Sequence, residues 1–82
     1  HPEVSDTLAV VYLKKQLPSL AIPLLRQAVG KVPANPAFHY HLGQALAESG
    51  DRAGAKQALT EALRLQSDFD GADAARALLA GL

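Results

Sequence analysis

The 82-residue chain repeats itself at a shift of 34 residues, and that limits its fold more than any other feature. Pro2 falls on Pro36, Leu8 on Leu42, Ala9 on Gly43 and Tyr12 on Leu46. Further on, Ala21 falls on Ala55, Leu25 on Leu59 and Ala28 on Ala62, each pair keeping its size class. Residues 2–35 and 36–69 therefore read as one supersecondary unit used twice, with 70–82 left as a terminal piece.

The spacing inside the unit is helical. Leu42 and Leu46 stand four apart, and Ala55, Leu59 and Ala62 four and three apart, so each set lines one helix face. Small residues facing large ones let two antiparallel helices approach closely, and Gly43 reads as the closest point of approach. Helices this short cannot bury both apolar faces within one pair, so the pair must stack on a neighbour. The punctuation predicts helices over about Pro2–Lys15, Pro18–Lys31, Pro36–Ser49, Arg52–Gln66 and Gly71–Ala80. Proline suits a first helical position, Asn35 and Asp51 are good caps, and Gly50 is a helix stop. Gln16 stands where the second unit has Gly50, and a left-handed conformation there costs about 1 kcal/mol relative to glycine. Pro23, close to the start of its helix, is expected to bend it and not to break it. Asp70 and Asp73 are expected to cap the fifth helix, whose Ala74, Ala75, Leu78 and Leu79 suit a seal over the last pair.

The period of 34, the run Leu42-Gly43-x-x-Leu46, the series Ala55, Leu59, Ala62 and the closing Pro33 resemble the tetratricopeptide repeat. The resemblance covers two repeats, with Gln16 replacing the turn glycine, Ser67 replacing the closing proline, and Ser5 or His39 replacing the early aromatic. It implies an all-α fold of antiparallel helix hairpins stacked as a right-handed solenoid, two repeats plus one capping helix. It also implies a concave groove lined by the first helix of each pair. Carried onto this sequence, the groove takes Asp6, Val10, Leu13, Tyr40, His41, Gln44 and Ala47. Such a groove holds a peptide or protein segment by shape and a few anchors. Tyr40 reads as the anchor, and equally as a side chain packed on the neighbouring helix. The family's carboxylate clamp needs Lys and Asn where Val10 and Gln44 stand, which argues against that mode. The ending FDGADAARALLAGL and the opening HPEVSDTLAVVYLKK are similar to parts of bacterial exosortase-associated envelope lipoproteins, which implies a cell-envelope setting.

Other chemistries have little to stand on. Eight Lys and Arg balance eight Asp and Glu, so no footprint for nucleic acid or an anionic membrane surface is expected. With no cysteine, disulfides and thiolate metal sites are excluded. His39 and His41 diverge by roughly 200° on a helix and do not make a chelating pair, so no metal site is expected; His39 is read as packed between helices and His41 as solvated. No nucleophile–base–orienter set is recognisable, and neither catalysis nor a cofactor is expected. The serines sit at caps, turns and helix starts, where local backbone bonding explains them. No apolar run approaches the roughly 18 residues that span a bilayer, and none has the form of a signal peptide. The opening His1-Pro2 reads as a cut from a longer chain. Two functions remain: a non-enzymatic module that binds a protein segment, or a structural element that self-associates. In the second, Val4, Val11 and the outer side of the second helix form a homodimer face.

Overall fold

The computed structural model describes all of residues 1–82. Five helices and no strand make up the chain: α1 (Pro2–Lys14), α2 (Pro18–Lys31), α3 (Pro36–Ser49), α4 (Arg52–Leu65) and α5 (Ala72–Ala80). The boundaries lie within a residue of those the sequence predicts. The fold is all-α and built of antiparallel helix hairpins, α1 with α2 and α3 with α4, α2 packing on α3 between them and α5 closing on α4.

Both hairpins turn in the same way. At the end of α3, the Asp51 N–H donates to Leu46 O at 2.9 Å and the Gly50 N–H to Ala47 O at 3.2 Å, with Gly50 left-handed at φ 93°. This pair of bonds satisfies carbonyls that the helix end would otherwise orphan. At the end of α1 the same two bonds recur, Leu17 to Tyr12 O at 2.9 Å and Gln16 to Leu13 O at 3.0 Å. Gln16 accordingly adopts φ 61°, the only non-glycine residue with positive φ in the chain. The starts of the helices differ more. Asn35 Oδ1 accepts from the Ala37 and Phe38 N–H groups, and Asp51 Oδ1 from that of Gly54. α1 and α2 start at His1 and Leu17 with no side-chain cap. The first hairpin is thus the same motif with poorer ends. Pro23 lies inside α2, which continues unbroken from Pro18 to Lys31.

The core joins the two hairpins. Ala9, Ala21 and Leu25 lie in one buried cluster with Leu42, Ala45, Leu46, Ala55 and Ala58. Leu25 and Leu59 are the largest fully buried side chains, each matched to small neighbours by the repeat. A Cβ at Gly43 would stand 2.6 Å from Leu59 Cγ, so the α3–α4 contact needs a glycine there.

The α5 start corrects one expectation. Asp70 and Asp73 do not cap it: Gly71 holds the cap position at φ 107°, with no side-chain bond to the helix start. Asp73 instead pairs with Arg76 at 3.1 Å, and Arg76 also donates to the Ser67 carbonyl. The left-handed Gly71 re-aims the chain, leaving the Asp70 carboxylate in electrostatic reach of Tyr40.

Candidate peptide-binding face

Asp6, Val10 and Leu13 recur at a spacing of four and three on α1, and Tyr40, Gln44 and Ala47 repeat that spacing on α3. α1 meets α2 antiparallel and α2 meets α3 antiparallel, so α1 and α3 run side by side in the same direction and touch. By the repeat, Asp6 corresponds to Tyr40, Val10 to Gln44 and Leu13 to Ala47, three rungs of one pattern. All six, and His41 with them, are half-buried. Leu13 and Ala47 also pack against the core cluster.

His41 is where the structure departs from the reading of a solvated ring. Its Nδ1 lies 2.7 Å from Asp6 Oδ1, tying α3 to α1 across 35 residues of sequence. A carboxylate only accepts, so the proton of this bond sits on Nδ1. Neither helical periodicity nor charge counting could have paired these two residues, because the contact exists only once the hairpins stack. His39 turns the other way. Its Nε2 donates to the Pro33 carbonyl at 2.8 Å and staples the Val32–Asn35 connection to α3, which explains a buried polar ring at the place of the family's aromatic. The two imidazoles therefore serve two different local structures and do not converge.

Tyr40 is held from two sides. Its ring meets Phe69 edge-on at 6.1 Å and lies tilted against His41 at 5.3 Å. A Cβ at Gly71 would come within 2.7 Å of Tyr40 Cε2, so the left-handed glycine before α5 also makes room for the ring. Burial, and secondarily the Asp70 carboxylate, push the Tyr40 phenol above its ordinary pKa of 10.0. Tyr40 thus packs on the α4–α5 connection while keeping part of its ring at the surface.

The largest hollow lies elsewhere. It is an open cleft of ≈ 730 Å³ between α2 and α4, floored by Val29, Leu42, Leu46 and Ala58 and including none of the seven face residues. A second, shallower one of ≈ 460 Å³ runs along the outer side of α1. The α1–α3 face is a fixed relief of half-buried side chains and has no cavity that would enclose a small molecule.

A fold of stacked antiparallel helix pairs and a 34-residue period define a helical-repeat protein. The family profile described as "Tetratricopeptide repeat" matches residues 12–82, and the chain belongs to that family. Comparison with curated proteins and with solved structures returned no match. Tetratricopeptide repeats mediate protein–protein interactions and are typically non-catalytic. No helix here is long and apolar enough to cross a membrane.

Proposed function

We propose that the chain is a non-catalytic recognition module that binds a peptide or protein segment along the α1–α3 face. Its organisation in this reading is two repeats, residues 2–35 and 36–69, with 70–82 as the capping element. The observation that carries it is the Asp6–His41 bond, which fixes the two rows of side chains relative to one another before any partner arrives. A face already ordered loses less conformational entropy on binding, so its exposed area converts into affinity more efficiently. Tyr40 is the anchor: its ring is immobilised by Phe69 and Gly71, and a fixed, part-exposed aromatic suits a hot spot. Val10 and Gln44, the middle rung, offer one apolar and one hydrogen-bonding contact.

The test begins with selection from a displayed random-peptide library, followed by backbone amide chemical shifts of the chain with the selected peptide. Shifts centred on α1 and α3, and loss of binding in Val10→Asp and Gln44→Arg with unchanged helicity, are the expected result. Shifts centred on the α2–α4 cleft, or binding that survives both substitutions, would overturn it. The likeness to exosortase-associated envelope lipoproteins extends the proposal to an envelope setting, which fractionation of the producing cell tests.

A further inference from the structure

Five of the six large hydrophobic side chains left exposed, Val4, Leu8, Val11, Leu17 and Leu20, belong to the first hairpin's outer side; Val32 is the sixth. The internal repeat shows how unusual this is. Val4, Leu8 and Val11 are 65%, 41% and 41% exposed, while Phe38, Leu42 and Ala45, their counterparts 34 residues on, are 3%, 7% and 0% exposed. Leu42 and Ala45 owe that burial to α2, whose Ala21 and Leu25 share their cluster. Leu17 and Leu20 correspond to Asp51 and Gly54, which line the cleft beside Leu42. The first hairpin thus carries the same helix-accepting surface as the second, made more apolar and covered by none of the five helices. At 100° per residue this stripe lies on the far side of α1 from Asp6, Val10 and Leu13, so covering it leaves the proposed recognition face free.

We propose that a second copy of this chain covers the stripe, the two α1 helices packing antiparallel about a two-fold axis near Leu8. Three features select this occupant. First, α2 crosses the equivalent stripe on α3 antiparallel, so an antiparallel helix is what this surface accepts. Second, Val4, Leu8 and Val11 are spaced four and three, the seam of a short coiled coil, and Leu8 is the midpoint of Pro2–Lys14. Third, the charges match. Glu3 and Lys14 project from the same edge of the stripe at opposite ends of α1, and neither has an ion-pair partner within the chain. In an antiparallel pair centred on Leu8, Glu3 of one copy comes beside Lys14 of the other, twice by symmetry. A parallel pair would leave Glu3 and Lys14 of the two copies at opposite ends and form no such contact. Head-to-tail stacking is disfavoured, because α5 already covers α4 at the far end.

Sedimentation equilibrium of the 82-residue chain from ~10 μM to ~1 mM tests this. The mass should rise from the monomer's 8.6 kDa towards twice that value. Leu8→Asp should raise the dissociation constant at least ~10-fold with helicity at low concentration unchanged. Glu3→Lys and Lys14→Glu should each weaken association severalfold, and the two together should restore it. A strict monomer at ~1 mM would overturn the proposal. So would association that Leu8→Asp leaves intact, or charge reversals whose combination restores nothing.

Discussion

At the scale of single residues, one close contact decides how α3 and α4 sit. Gly43 lets α4 approach until Leu59 Cγ stands 2.6 Å from where a Cβ would be, and Leu59 is fully buried. Gly43→Ala should therefore lose stability by about 1–2 kcal/mol, the overpacking outweighing the roughly 1 kcal/mol that alanine gains in a helix. Combined with Leu59→Ala, which alone should cost about 2–5 kcal/mol, the two losses should fall short of additivity by about 1 kcal/mol or more. Gln44→Leu, one position along on the half-buried face, should stay within about 0.5 kcal/mol of the parent. Urea midpoints of the four variants check this, and equal midpoints for Gly43→Ala and Gln44→Leu would refute the assigned faces. Tyr40 supplies a pH dependence. Its raised pKa means that the folded chain holds the phenolic proton more tightly than the unfolded chain does. The corresponding stability is fully present below pH 10.0 and is lost as pH rises through the folded value. Urea unfolding at pH ~8 and ~11 should show a smaller alkaline loss for Tyr40→Phe than for the parent.

At the scale of elements, the two hairpins are the same motif unequally finished. The Gln16 turn makes the same bonds as the Gly50 turn, but from a residue whose side chain disfavours φ 61°. Gln16→Gly should stabilise the chain by about 0.5–1 kcal/mol, read as a higher urea midpoint with an unchanged slope. A lower midpoint would mean that the Gln16 side chain contributes something at the turn that outweighs its strain. α5 shows the opposite economy. It is short and lacks a side-chain cap, yet Ala72 and Ala75 are buried and Arg76 ties it back to Ser67. Its hold comes from packing on α4 and not from its own ends.

At the scale of the molecule, the repeat made the fold legible and left the tertiary contacts dark. The 34-residue period, the Leu–small and Ala–Leu–Ala series and the Pro, Asn, Asp and Gly punctuation are local patterns, and together they located all five helices to within a residue. The close approach at Gly43 was legible too, though not Leu59 as its partner, because a glycine inside an apolar helix face has few other reasons to be there. Asp6–His41 was not, since side-chain pairing between hairpins depends on how they are stacked. Nor was the α5 start: two acidic residues at a helix entrance look like a cap until Gly71 turns left-handed and Tyr40 fills the space beside it. The α2–α4 cleft escaped for the same reason, since it forms only from three helices meeting. The uneven finish of the hairpins gives the chain a direction. α3 and α4 begin with side-chain caps and have packed neighbours on both sides, whereas α1 and α2 begin without one and α1 carries the exposed Val4, Leu8, Val11 stripe. Opening should therefore begin at the α1 end of a single copy, with α3 and α4 exchanging their amide hydrogens most slowly, an order that hydrogen exchange read residue by residue would reveal.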